Sequence, residues 1–557
     1  MAVPGDGADT RYARAYASFR WNVPPDFNIA QWACRRWARE PERLALLWED
    51  ESGETASFTY ADLQRSADRF ANALTALGVA RGDRVAIVLP QRPETAIAYL
   101  ACFQMGAIAV PLSHLFGPDA LEYRLSDSGA TVAIVDPQTL ANLWAVRERL
   151  PALRYVVGVA GARESSTLAW EALLEKGAER FEPAGAGDGA VIIYTSGTTG
   201  PPKGALMPHS ALLGNLPGFE HSHDGFPRAG DLFWSPADWA WTGGLWDALM
   251  PTLYHGQAIV GYRGRFDPEV AFRLMEKYRV RNVFLFPTAL KMMMKAVAHP
   301  RERFRLPLRS MMSGGEPVGP AVLEWVRAEL GVTVNEIFGQ TEMNYIVGNS
   351  HTLWPVKPGS MGRPYPGHRI AVIDAAGDEV PRGAVGDVAV HRTWLDGTPD
   401  PVFFLGYWNN AEATARKFSG DWCRTGDEAF MDDDGYLWYQ GRADDMFKSA
   451  GYRIGPAEIE NCLVKHAAVA NSAVVPSPDE TRGAIIKAFI LLAPGHVPSR
   501  ELEDSIRAHV KAHLAPWQCP RAIEFVASLP MTTTGKVQRR VLREREIATS
   551  SSDPPRT

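Results

Sequence analysis

The run Tyr194-Thr-Ser-Gly-Thr-Thr-Gly-Pro-Pro-Lys-Gly204 gathers more reactive groups than any other stretch of this sequence. Ser196, Thr198 and Thr199 supply hydroxyls, and Lys203 supplies a cation. Gly197, Gly200 and Gly204 allow positive φ and a close backbone approach to a ligand. Hydroxyl and amide donors plus one cation on a tight loop after a strand suit a polyphosphate. The spacing is not GxxxxGK[ST]. Lys203 follows Pro202, and Gly204 stands where Ser or Thr would hold magnesium, which disfavours a Walker-type NTPase. The alternative is a polar Gly/Thr turn joining two strands.

Five more segments follow in order: Gly314-Gly-Glu-Pro317, Phe338-Gly-Gln-Thr-Glu342, Arg424-Thr-Gly-Asp427, the stretch 441–460 opening with Gly441-Arg-Ala-Asp-Asp, and Thr534-Gly-Lys536. Together with YTSGTTGPPKG they resemble the signature set of the adenylate-forming superfamily, which includes acyl-CoA synthetases, nonribosomal adenylation domains and firefly luciferase. The resemblance covers about residues 30–545 and is strongest to the acetyl-CoA and medium-chain acyl-CoA synthetase branch.

The resemblance implies ATP-dependent activation of a carboxylic acid through an acyl-adenylate, then transfer to coenzyme A. Thr195, Ser196, Gly197, Thr198, Thr199, Gly200 and Lys203 would cradle phosphates. Gly315, Glu316 and Pro317 would line the adenine pocket, with Gln340 beside the nucleotide. Thr341 would bond the α-phosphate, and Glu342 would help hold Mg²⁺, a hard cation that takes oxygen ligands and substrate phosphates. Asp427 would accept both ribose hydroxyls, and Arg442 would contact the nucleotide. Lys536 would neutralise charge where a carboxylate meets the α-phosphate. Its acetylation would remove that charge. Asp444 would be the hinge about which a small domain rotates between half-reactions, bringing Lys448 and Gly451 to the thioester-forming side. A thiol of pKa about 8.5 is partly ionised near neutral pH, so the CoA thiol needs no strong protein base.

The acyl pocket is expected at Trp241, Thr242 and Gly243 of the segment 235–244, with Gly314 and Gly339. The resembling acetyl-CoA synthetases carry bulkier residues where Gly243, Gly314 and Gly339 stand. Glycine there is expected to remove three walls, and each buried CH₂ is worth about 0.8 kcal/mol, so short- to medium-chain acids are expected over acetate. An aryl-CoA ligase and an enzyme loading a carrier protein are the alternatives. A non-catalytic nucleotide sensor would be marked by loss of Lys536 or Glu342, and both are present.

These groups must be held by an α/β framework. Residues 58–137 alternate helix and strand signals: a helix over 60–77 stopped by Gly78, strands at 84–89, 106–111 and 131–136, and a helix over 94–104. The rhythm returns with strands at 190–194, 283–286 and 332–337 and helices over 270–278 and 320–330. Largely parallel sheets follow from this order. From 370 to 439 short β-like runs dominate. Beyond 444 come helices at 456–466 and 500–514 and strands at 469–475, 485–492 and 522–526. The expected organisation is a large N-terminal α/β domain (1–443, β-rich over 360–443), a small mobile C-terminal α+β domain (444–545) and a disordered tail (546–557).

Composition sets the bounds. The chain has 557 residues, 46% hydrophobic and 22% charged, with net charge −6. It should hold more than one domain, and no basic excess points to nucleic acid. Neither a secretory signal nor a run of about 18 apolar residues is found, so a cytoplasmic protein without a membrane span is expected. The cysteines (34, 102, 423, 462 and 519) form no CxxC pair and are read as having no accompanying His-x3–5-His partner, so neither a zinc framework nor disulfides are expected. Oligomeric state is not readable.

Overall fold

The computed structural model describes residues 10–164, 167–183, 189–195, 201–443, 445, 447–449, 452–479, 483–532 and 537–552. Two compact units are present. The larger holds the described residues up to 195, then 201–370 and 390–423. The smaller holds 371–389 and those from 424 onward. Among the described residues no helix is long and apolar enough to cross a membrane.

The larger unit is built on two sheets. One runs Gly406–Tyr407, Lys203–Met207, Val191–Thr195, Ile108–Pro111, Arg84–Val88, Val132–Val135, Tyr155–Gly158, Thr167–Ala169. Its pairs are parallel from Val191–Thr195 onward, whereas Lys203–Met207 and Gly406–Tyr407 add antiparallel at one edge. The other has a parallel centre, Val334–Gln340, Ser310–Gly314, Asn282–Phe284, Leu232–Trp234, Ala258–Arg263 and Leu44–Asp50, flanked by antiparallel strands. Buried Val, Ile and Ala runs explain the parallel centres, since both faces are covered and no polar alternation is needed.

Helix boundaries follow local chemistry. Thr59 caps the Tyr60–Ala76 helix in a capping box with Asp62. Pro93 opens the buried Pro93–Met105 helix, and Gly106, at φ 72, ends it in the left-handed region. Gly106 therefore stops a helix rather than starting a strand, and the following strand begins at Ile108. The segment expected as one helix over 320–330 is an α-helix, Pro320–Trp325, continued by a π-turn, Val326–Leu330.

In the smaller unit, the Asp427–Met431 part of the Trp422–Met431 strand pairs antiparallel with Leu437–Arg442, setting Asp427 opposite Arg442. Farther on, Val469–Asp479 and Gly483–Leu492 form a long hairpin, and Ala522–Phe525 adds parallel to it. The helices Pro456–Leu463 and Arg500–His513 cover one face through Ile459, Leu463, Ile506 and Val510. The last helix, Arg539–Ser552, replaces the disordered tail expected from 546 as far as residue 552; residues 553–557 lie outside the described residues. Glu546 is buried and accepts from Lys487 Nζ at 2.7 Å and Ser477 Oγ at 2.8 Å, which gives the helix a fixed seat.

Candidate active site

Strand ends of the larger unit bring several of the expected residues together. Thr195 and Lys203 face each other across the antiparallel pair that closes the phosphate segment, and Thr195 Oγ1 donates to Lys203 O at 3.3 Å. Lys203 Nζ lies 5.1 Å from the ring centroid of Tyr407, on the neighbouring edge strand. The Tyr407 hydroxyl donates to Glu342 Oε1, and Glu342 is only 7% exposed. A cation, a phenol and a buried carboxylate therefore stand in sequence across one sheet edge. Tyr407 carried no spacing signal in the sequence. Ser196, Gly197, Thr198, Thr199 and Gly200 lie outside the described residues. Gly204 does not serve a loop: it pairs with Tyr194 within a strand, and a Cβ there would meet Ile192 Cγ2 at 2.6 Å.

Thr341 and Glu342 lie in the tight turn after the Val334–Gln340 strand. Thr341 Oγ1 is 3.1 Å from Thr242 Oγ1, which joins the expected nucleotide turn directly to the expected acyl segment. Lys417 Nζ donates to Gln340 Oε1 at 2.9 Å. Gly315, at φ 93, turns the chain after the Ser310–Gly314 strand, and Val318 N–H, just past Glu316 and Pro317, donates to Glu336 Oε1 at 3.0 Å. Burial pushes the Glu336 carboxyl up to about 7, against the lowering effect of that N–H. Glu336 was not anticipated from the sequence.

The acyl segment corrects the expectation of three removed walls. At Gly339 a Cβ would lie 1.6 Å from Asn344 O, so the glycine is required by the close antiparallel strand and its register shift at Phe338/Gly339. At Gly314 it would meet Ile337 Cδ1 at 2.6 Å, and at Gly243 Phe284 Cε1 at 2.9 Å. The directions that larger side chains would take are already filled by Ile337, Phe284 and backbone. Trp241 stands edge-on to Phe116 with centroids 5.7 Å apart and packs against the hydrophobic core. Beside it, Asp238 accepts from Ser113 Oγ at 3.0 Å and lies 3.7 Å from His114 Nδ1. Burial raises its carboxyl pKa, with His114 opposing.

In the smaller unit, Asp427 is 5% exposed. Arg442 Nη1 contacts its Oδ2 at 3.2 Å, and the Tyr439 hydroxyl donates to Oδ1 at 3.3 Å. Burial and the neighbouring Asp427 raise the Tyr439 pKa, so it remains a phenol donor. Asp444, Gly451 and Lys536 lie outside the described residues. Lys448 is in the short strand Phe447–Ser449, whose side chains at 448 are likewise not described. The residues flanking these positions are tied together. Arg539 donates through Nε to Glu460 Oε1 at 2.8 Å and sits 3.2 Å from Asp445 Oδ2, while Arg543 contacts Asp445 Oδ1 at 3.2 Å. Met531 and Val537 pair as an antiparallel bridge on either side of residues 532–536.

Residues 34–407 match the AMP-binding enzyme family profile, and residues 458–536 match the AMP-binding enzyme C-terminal domain. The chain is 35% identical over 571 residues to an acetyl-coenzyme A synthetase of Bacillus subtilis (strain 168), covering 99% of this chain and 98% of that one. It is 34% identical over 538 residues to the mitochondrial acyl-coenzyme A synthetase ACSM4 of Rattus norvegicus, covering 94% and 91%. The crystal structure of the anthranilate CoA ligase AuaEII with anthranoyl-AMP superposes with a TM-score of 0.86 at 29% identity, covering 95% of this chain and 99% of that one.

Proposed function

The chain belongs to the AMP-binding enzyme family, and from that premise we propose how its own residues carry out acid activation. It is an AMP-forming acid–thiol ligase, an acyl-CoA synthetase that uses ATP and CoA. The observation that carries the roles of these residues is the convergence of Lys203, Tyr407 and Glu342, with Thr341 joined to Thr242 of the acyl segment.

A carboxylate attacking the α-phosphate of ATP meets like charge, so the site must supply positive charge and donors where negative charge grows. Lys203 would hold the phosphates, and Thr341 would donate to the α-phosphate. Glu342 fits a hard cation. Tyr407 fixes one of its oxygens, and the buried carboxylate can take Mg²⁺ jointly with substrate phosphate oxygens. Bound Mg²⁺ would neutralise phosphate charge there. Asp427, oriented by Arg442 and Tyr439, would accept the ribose hydroxyls. Lys536 would bridge the carboxylate and the α-phosphate and then withdraw by rotation about Asp444. Gly451 would then leave room for the pantetheine arm, and Lys448 would sit beside it. The CoA thiolate attacks the acyl carbonyl and AMP leaves.

For the acid, we propose a short- to medium-chain substrate bound beside Trp241 and Phe284, a reading supported by the likeness to the acetyl-coenzyme A and ACSM4 synthetases and no longer by the glycines. An aryl acid is the second reading, favoured by the structural likeness to the anthranilate ligase. The test is pyrophosphate release from purified protein with ATP and Mg²⁺ across C2–C12 and aryl acids, with CoA or a carrier protein as acceptor. Turnover is expected at butyrate through octanoate with CoA, and Lys536→Ala should lose it. Acetate far above all others would refute the chain-length proposal. An unaffected Lys536→Ala would remove Lys536 from the mechanism.

A further inference from the structure

We propose that Cys462, His509 and His513 of the smaller unit form a binding site for a borderline divalent transition ion of the Zn²⁺ class. One ligand atom from each residue lies within 4.8 Å of the others. Cys462 comes from the Pro456–Leu463 helix. His509 and His513 stand four residues apart on Arg500–His513, a spacing that puts both imidazoles on one helix face. With Zn–N of about 2.0 Å and Zn–S of about 2.3 Å, tetrahedral ligand atoms sit about 3.3–3.6 Å apart. Small side-chain rotations therefore close the set. Three protein ligands leave a fourth position for solvent.

The surroundings suit metal binding. His509 Nε2 lies 3.2 Å from Cys462 O, and His513 Nδ1 lies 2.8 Å from His509 O. A backbone carbonyl at one ring nitrogen fixes the tautomer and leaves the other nitrogen as the base, the arrangement found around metal-ligating histidines. The two rings are 4.4 Å apart, and His466 packs edge-on to His509 at 5.5 Å. Cys462 is buried while His513 is exposed, so an ion has a route from solvent to a thiolate in a partly desolvated place. One soft sulfur and two imidazoles select Zn²⁺, Co²⁺ or Ni²⁺ over Mg²⁺ or Ca²⁺. The sequence expectation against zinc held that no His-x3–5-His pair accompanies the cysteines; His509-x3-His513 is such a pair, and the fold brings it to Cys462.

The experiment is competition between tag-free, full-length protein and a chromophoric chelator for Zn²⁺, with Co²⁺ spectra of the same samples. Wild type is expected to hold one equivalent, and its Co²⁺ form to show a thiolate charge-transfer band. His513→Ala, at an exposed position that leaves the fold intact, should weaken Zn²⁺ at least tenfold. Cys462→Ala should abolish the charge-transfer band. Failure of wild type to retain Zn²⁺ against the chelator, or equal retention by all three proteins, overturns the proposal. Acyl-CoA synthesis by each variant reports its folding separately.

Discussion

Replacing Glu336 by Gln should stabilise the larger unit, and only above mildly acid pH. The carboxyl sits in the Val334–Gln340 strand, where burial moves its pKa from 4.5 to about 7. The folded chain thus holds this proton more tightly than the unfolded chain does. The resulting stabilisation is fully present below pH 4.5 and is lost as pH rises through 7. The displacement is worth about 3 kcal/mol once both states are ionised. Gln keeps the acceptor that Val318 N–H uses at 3.0 Å but carries no charge. Wild type and Glu336→Gln should therefore coincide near pH 4.5, separate progressively, and differ by about 3 kcal/mol at pH 8. Urea unfolding of both proteins across pH 4.5–8 measures this, with unchanged m showing that the denatured state is the same. The KM for ATP should not move, since the turn carrying Gly315, Glu316 and Pro317 keeps its anchor. An offset equal at every pH, or a variant weaker than wild type at pH 8, refutes the reasoning.

Tyr407→Phe removes the hydroxyl from Glu342, a bond to a charged group worth about 1.5–3 kcal/mol. Adenylation should fall about 10–100-fold with a raised Mg²⁺ requirement, read by pyrophosphate release. Arg539→Ala leaves the Glu460 and Asp445 carboxylates short of positive charge. The smaller unit should lose about 3 kcal/mol, seen as faster hydrogen exchange over 456–475 with the larger unit unchanged. Phe284→Leu shortens the side chain nearest Gly243 and should raise the octanoate-to-butyrate ratio of kcat/KM about tenfold, two methylenes being worth about 1.6 kcal/mol. An unchanged ratio would place Phe284 outside the pocket.

Much of the framework was legible because its signals are local. Gly78, at φ 78, follows the Tyr60–Ala76 helix as the stop signal expected, and the helix expected over 94–104 forms as Pro93–Met105. What escaped depended on neighbours far along the chain. The strand expected to end at 475 runs to Asp479 through Pro476 and Pro478, because it is an edge strand with one partner and its prolines need donate nothing on the open side. The glycines at 243, 314 and 339 read as vacated space, but only the structure shows Phe284, Ile337 and Asn344 filling it. Tyr407 and Arg539 looked like ordinary residues because their partners, Glu342 and Glu460, lie 65 and 79 positions away.

The two-residue strand Gly406–Tyr407 has a second consequence. It lies along Lys203–Met207, whose Ala205 and Met207 are buried, at the border of the eight-stranded sheet. Without it, that strand would offer unpaired amides and apolar side chains to any other chain in solution. The same short segment thus supplies the phenol for Glu342 and shields the sheet against intermolecular β-pairing. Lesions that peel it away should show first as concentration-dependent precipitation, before any change in helix content.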